Sequence, residues 1–278
     1  MKNTKSILIT GCASGIGLCV AQGLHARGYQ VFATVHKRED IQRLKQLGLQ
    51  SFQLDLDDSN SIKNALKAVL QETGGTLYAL FNNGAYGQAG AVEDLRRDVL
   101  RAQFETNLFG WQELTNAVIP VMRKQGYGRI IQNSSVLGLV AMPYRGAYIA
   151  TKFAIEGLSD TLRQELKMTS DDIHVSLIEP GPIRSQFRHN SLIALQRHID
   201  IEASVHRDLY QRTVQRLSNP GPAVPFTLPP EAVLKRVIHA LESPRPKVRY
   251  YVTVPTYLFA FLRRILPQSV LDNILKRY

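Results

Sequence analysis

The chain has 278 residues, 44 % of them hydrophobic and 21 % charged, which suits one α/β domain with a sizeable core. Two cysteines, Cys12 and Cys19, exclude a disulfide framework and a cysteine-based metal site, and the uncharged stretches 130–144 and 250–262 are shorter than the ~20 residues of a membrane span. The formal charge of +11 is densest from Lys235 to Tyr278, where nine Lys/Arg stand against Glu242 and Asp272, but the bases are scattered and no nucleic-acid module is present, so no nucleic-acid partner is expected.

Lys2 and Lys5 give a basic start, but the apolar run Ile7-Leu8-Ile9 meets a glycine loop at once, which is not a secretory signal. A cytoplasmic protein is expected, with peripheral membrane contact left open. Ser6 to Thr10 reads as strand 1, with a helix from Gly15 to about Arg27. Tyr29 to Thr34 is strand 2, followed by a helix at Glu39 to Gln46. Ser51 to Leu54 is strand 3, followed by a helix at Ser59 to Glu72 with a serine N-cap. Leu77 to Asn82 is strand 4, and one long helix runs from about Val99 to Lys124. Arg129 to Asn133 is strand 5, Tyr148 to Met168 a helix, and Ile173 to Ile178 strand 6. A polar, helical insertion from Gln186 to Leu217 ends at Asn219-Pro220-Gly221-Pro222, and Glu231 to Leu241 is the next helix. Val248 to Val254 is strand 7, and an apolar-then-basic tail begins at Pro255.

Strands alternating with helices imply a doubly wound, Rossmann-type α/β fold. Its seven-stranded parallel sheet is covered by helices on both faces, in a single domain over 1–278. Within it, 5–185 forms the core, 186–228 a substrate-loop insertion, and 229–278 the last helix, strand 7 and the tail. Ligands of such sheets bind at the carboxyl ends of the strands.

Two motifs fall at such ends. Gly11, Gly15 and Gly17 follow strand 1 and open a helix, where glycine lets the backbone approach a pyrophosphate and free N–H groups favour an anion. Tyr148 and Lys152 are four apart on a helix and share one face, so the ammonium can favour the Tyr148 phenolate. Thirteen residues before Tyr148 stands Ser135. Its neighbour Ser134 points to the opposite side if the strand continues.

T-G-x-x-x-G-x-G at Thr10–Gly17, Asn82-Asn83, Asn107, Ser135, Y-x-x-x-K and Pro180-Gly181 together resemble the classical short-chain dehydrogenase/reductase family over residues 5–185. Within it the chain is similar to the bacterial aldehyde-reductase, retinol-dehydrogenase and hydroxysteroid-dehydrogenase-like branch, with the YbbO-type oxidoreductases nearest. The resemblance implies a catalytic set of Asn107, Ser135, Tyr148 and Lys152. Asn107 would kink the long helix and anchor a water in a proton relay to Lys152. It implies dinucleotide contacts from Gly11, Ser14, Gly15, Ile16, Gly17, Asp55, Leu56, Asn83, Gly84, Tyr148, Lys152, Pro180, Gly181, Ile183 and Ser185. Asn82-Asn83-Gly84-Ala85 exchanges the last two residues of the family's pattern, which bears on the backbone path beneath the cofactor.

Where NAD-binding members carry an Asp after strand 2, this chain has Val35, then His36, Lys37 and Arg38, which favours NADP. The implied reaction is hydride transfer between NADP and a small apolar carbonyl or alcohol, most simply an aldehyde. Retinol or steroid oxidoreduction and a non-catalytic NADP sensor are the alternatives. Tyr86, Val92, Leu137, Leu139, Val140, Met142 and Tyr144 are candidate pocket walls. The tail would close the pocket or lie on anionic lipid, and homo-oligomers would form through the helices at 99–124 and 148–168.

Overall fold

In the computed structural model, which describes residues 4–169, 172–218 and 225–276, the strands are short, and those at the middle of the sheet are buried on both faces. They are β1 (Ser6–Ile9), β2 (Gln30–Val35), β3 (Gln50–Gln53), β4 (Ala79–Asn82), β5 (Gly128–Asn133), β6 (Ile173–Glu179) and β7 (Arg249–Tyr251). All pair in parallel in the order β3-β2-β1-β4-β5-β6-β7, so the chain reverses direction across the sheet between β1 and β4. The carboxyl ends of those two strands hold Thr10 and Asn83, where the crevice of a doubly wound sheet opens.

Helices α1 (Gly15–Ala26), α2 (Glu39–Gln46) and α3 (Ser59–Glu72) follow the first three strands. The N-cap of α3 is Asp58 rather than a serine: its carboxylate accepts from Asn60 N at 2.8 Å. The long helix is divided. α4 (Arg97–Phe104) and α5 (Gly110–Gln125) flank a π turn at Glu105–Phe109 that contains Asn107, the position where the resemblance implied a kink. α6 (Gly146–Thr169) begins before the predicted start and carries Tyr148 and Lys152 in its first turns.

The insertion holds two helices, α7 (Phe187–His198) and α8 (Arg207–Ser218); the Asn219-Pro220-Gly221-Pro222 segment lies outside the described residues. After α9 (Glu231–Glu242), β7 ends at Tyr251, and Val254 already opens α10 (Val254–Ile265), followed by α11 (Gln268–Leu275). Strand 7 is thus shorter than its β-branched run predicts, because Pro255 sits in the first turn of a helix, where its missing N–H costs nothing.

Two cores lie on either side of the sheet. One packs α1 and α9 through Val20, Leu24, Val233 and Val237, and the other packs α3, α5 and α6 through Ile62, Trp111, Leu114 and Ile155. A third, smaller core joins the tail to the segment after β5: Phe259, Leu271 and Leu275 bury against Val136 and Val140. Among the described residues no helix is long and apolar enough to cross a membrane.

Candidate active site

The glycine loop between β1 and α1 is packed too closely for side chains. Gly11 has φ +72 and Gly15 φ +56, both in the left-handed region that favours glycine. A Cβ on Gly17 would overlap the Gly11 carbonyl and the Asn83 amide, and one on Gly15 would meet Ser185. Asn83 braces this loop: its Nδ2 donates to Thr10 O at 3.0 Å, and its own N–H and that of Gly84 both donate to Thr10 Oγ1 at 2.9 Å. Gly84 occupies the exchanged position against the Gly11 backbone and the Leu56 side chain, where a Cβ would be tight. Asn82 plays no part in the crevice. It is fully buried and donates to Thr115 Oγ1 and Gln132 Oε1, both at 3.0 Å, tying β4 to β5 and α5.

At the end of β2, Val35 is buried and His36, Lys37 and Arg38 are exposed. Their charges are partly engaged: His36 Nε2 lies 3.3 Å from Asp55, Lys37 Nζ 3.5 Å from Glu39, and Arg38 Nε donates to Gln53 Oε1 at 2.7 Å. Arg43, which the sequence reading passed over, reaches from α2 to donate to the Ala13 carbonyl in the glycine loop. Its spacing on α2 is that of any amphipathic helix, so nothing in the sequence marked it. On the opposite wall, Val136 N donates to Pro180 O at 2.8 Å, Gly181 packs against Thr253, and Ile183 bridges to Leu228. Ser185 caps the approach to α7, accepting from Phe187 N at 3.3 Å. The glycine cradle and this wall fit a dinucleotide: Gly11, Ser14, Gly15, Ile16 and Gly17 would hold its phosphates, and Pro180, Gly181, Ile183 and Ser185 its nicotinamide end.

The catalytic candidates converge beside that wall. Ser135 lies beside Tyr148, close enough to act on its phenol, and its Oγ accepts from Leu137 N at 3.1 Å. Ser134 faces the other way, toward Glu156, which leaves Ser135 as the serine on the Tyr148 side. Lys152 is buried under the site. Its Nζ donates to Asn133 O at 2.7 Å and lies 4.3 Å from the Trp111 ring centroid and 5.5 Å from that of Tyr148.

Asn133 is a second residue the sequence reading missed, because it acts through its backbone carbonyl and through a bond from its Nδ2 to Asn83 Oδ1 at 2.9 Å. It links the lysine to the glycine-loop brace. Asn107 makes no bond to Lys152. Its amide holds the chain after β4, donating to Tyr86 O at 2.9 Å and accepting from Tyr86 N at 3.2 Å, and it donates to Thr151 Oγ1 at 3.3 Å.

Burial pushes the Tyr148 phenol up rather than down, and Ser135 offsets only part of this. Burial likewise pulls Lys152 down to about 7, with Glu156 one turn on opposing the shift. Desolvation is the largest influence on both groups.

The pocket walls divide by role. Val140 is core beneath the tail, with Leu137 and Met142 packed at its edge. Tyr144, at φ +62, turns toward the insertion, its hydroxyl 3.2 Å from His206 Nδ1. Phe187, also unmarked in the sequence, sets its ring edge-on to Tyr148 with centroids 5.1 Å apart and roofs the site.

Comparison with known proteins agrees with this geometry. The family model described as short chain dehydrogenase matches residues 5–194. The chain is 42 % identical over 272 residues to the uncharacterized oxidoreductase YbbO of Escherichia coli (strain K12), covering 98 % of this chain and 94 % of that one. It is 31 % identical to the 17-beta-hydroxysteroid dehydrogenase type 1 of Homo sapiens, covering 89 % of this chain and 77 % of that one. A solved short-chain dehydrogenase from Streptomyces avermitilis superposes with TM-score 0.76 at 25 % identity, covering 98 % and 94 % of the two chains.

Proposed function

The chain belongs to the short chain dehydrogenase family of oxidoreductases, and from that premise we propose that it is an NADP-dependent enzyme interconverting an apolar aldehyde or ketone and its alcohol, acting as an aldehyde reductase. The observation that carries the reading is the convergence of Ser135, Tyr148 and Lys152 at the carboxyl end of the sheet, beside a glycine cradle that a side chain would fill. When bound, the dinucleotide supplies the hydride in the reductive direction. Tyr148 gives its proton to the substrate oxygen, and Ser135 holds that oxygen with a preorganised hydrogen bond. Lys152, fixed on Asn133 O, sets the field around the phenol. Phe187 and the segment after β4 exclude water from above.

The choice of NADP is supported by the buried Val35 in place of a carboxylate and by the bases His36, Lys37, Arg38 and Arg43 around the end of β2. The likeness to a hydroxysteroid dehydrogenase supports a second reading, a steroid or retinoid alcohol as substrate, served by the same residues. The test is a cofactor-consumption screen with aldehydes, retinoids and ketosteroids, run with NADPH and with NADH. Tyr148→Phe should lower kcat by about 10²–10⁴-fold, the usual worth of a general acid, and leave dinucleotide affinity nearly intact. Preference for NADH in the parent protein would refute the cofactor assignment, and turnover undiminished by Tyr148→Phe would refute the acid.

We further propose that α10 rests against anionic lipid. Val254, Tyr257, Leu258, Phe261 and Ile265 are all exposed and, at helical spacing, form one stripe on it, with Arg264 exposed beside them.

A further inference from the structure

The ammonium of Lys152 is enclosed with few polar partners. The residue is 1 % exposed, and its hydrogen bond goes to the Asn133 carbonyl at 2.7 Å. An ammonium has three donors, and a buried charge is costly unless it is paired. Among the described residues no carboxylate pairs with it: Glu156, one turn on, lies 2.9 Å from Arg249 instead.

The ring of Trp111 takes the place of a counter-charge. Lys152 Nζ lies 4.3 Å from its centroid, against 5.5 Å for Tyr148, so the indole is the nearer of the two rings. The face of an aromatic ring attracts a cation, tryptophan most strongly, and the attraction grows when both are out of water. Trp111 is itself buried and tied down. Its Nε1 donates to the Gly84 carbonyl at 2.7 Å, and Gly110 before it sits so close to Leu56 that a Cβ would overlap the Leu56 carbonyl. One side chain thus joins the ammonium to the Gly84 segment, which packs against Gly11 of the glycine cradle.

We propose that Trp111 is a positioning residue for the reaction: its ring face holds the Lys152 ammonium charged and in place, and its indole N–H fixes the Gly84 segment against the glycine cradle. This rests on the oxidoreductase reading above and adds a residue to it. A leucine at this position would fill the core equally well but would offer the cation nothing. From β5 and α5 Lys152 meets the neutral Asn133 carbonyl and the indole. On its own helix it meets the Tyr148 ring and Glu156. Behind Glu156 stand Arg249 of β7, which also pairs with Asp160, and Glu179 of β6, 3.4 Å from Arg249.

Trp111 is the only tryptophan of the chain, so its fluorescence reads the pairing without substrate or dinucleotide. At about pH 6 the emission of the parent protein should differ from that of Lys152→Met, and the difference should narrow toward about pH 10 as the ammonium loses its proton. Glu179, pushed up by burial to about 9, titrates in the same window, but its effect would persist in Lys152→Met. The alkaline limb of kcat/KM should move down by about one pH unit or more in Trp111→Leu, and by less in Trp111→Phe, which keeps an aromatic face. Trp111→Phe should instead weaken NADP binding about threefold to tenfold by calorimetry, through loss of the bond to Gly84. Equal emission of parent and Lys152→Met at about pH 6, or a pH step as large in Lys152→Met, overturns the proposal. So does a Trp111→Leu variant whose kcat/KM falls equally at every pH, as loss of mere packing would make it, or a limb displaced as far in Trp111→Phe as in Trp111→Leu. If the emission difference is present and pH-dependent while no carbonyl compound is turned over, the pairing of Trp111 with Lys152 stands and the carbonyl-reductase reading falls.

Discussion

Lys152 is a cation held where water cannot reach it, and its proton has a thermodynamic signature. Below about 7 both folded and unfolded chains hold that proton; between about 7 and the ordinary lysine value of 10.5 only the unfolded chain does. Wherever the unfolded state binds more protons, stability rises with pH. Relative to Lys152→Met, which keeps the stem and loses the charge, the protein should gain up to ~1.4 kcal/mol per pH unit between pH 7.5 and 9.5. Urea titrations of both proteins across that range would measure it; a pH-independent difference would mean that Lys152 stays charged when folded. At this scale the sequence was informative where a role depends on a side chain at fixed spacing. Ser135, Tyr148 and Lys152 meet as their spacing implied. Asn133 was illegible because its carbonyl does the work, and every residue has one. The raised Tyr148 pKa was illegible too, since burial is a property of the surroundings.

Among the elements, the tail departs furthest from a surface appendage. Phe259 on α10 is 2 % exposed and buries against Val136 and Val140, while Arg263 donates to the Leu139 carbonyl and stacks over Phe153. These helices buttress the segment from Ser135 to Met142 that carries the serine proposed to hold the substrate oxygen. Phe259→Ala should therefore cost roughly 3–5 kcal/mol, as large-to-small changes in a packed core do, and lower kcat by loosening Ser135. Denaturation midpoints and rates on a small aldehyde would check both, and loss of long-chain substrates alone would restore the view of the tail as a mere pocket rim. Deletion after Val254 should unfold this third core. The sequence showed the tail's apolar periodicity but not which side would be covered. α10 has apolar residues all round, and the partner that buries one side lies more than a hundred residues earlier in the chain.

On the scale of the whole molecule, a charge of +11 and the exposed α10 stripe make the proposed lipid contact measurable. The protein should co-sediment with vesicles containing phosphatidylserine, less so at high salt, and Phe261→Asp should release it without unfolding the chain, since Phe261 is exposed. Vesicles of neutral lipid bound equally well would remove the electrostatic part of that proposal. The sequence by itself determined the doubly wound fold and all seven strands, because strand-helix alternation and buried apolar runs are local patterns. It also determined the glycine cradle and the Ser-Tyr-Lys set, because those depend on fixed spacings. Only the tertiary structure decided that Arg43 would lean on the glycine loop and that Phe187 would roof Tyr148. These are meetings of residues far apart in the chain, set by how helices settle on a sheet, and no local pattern encodes them.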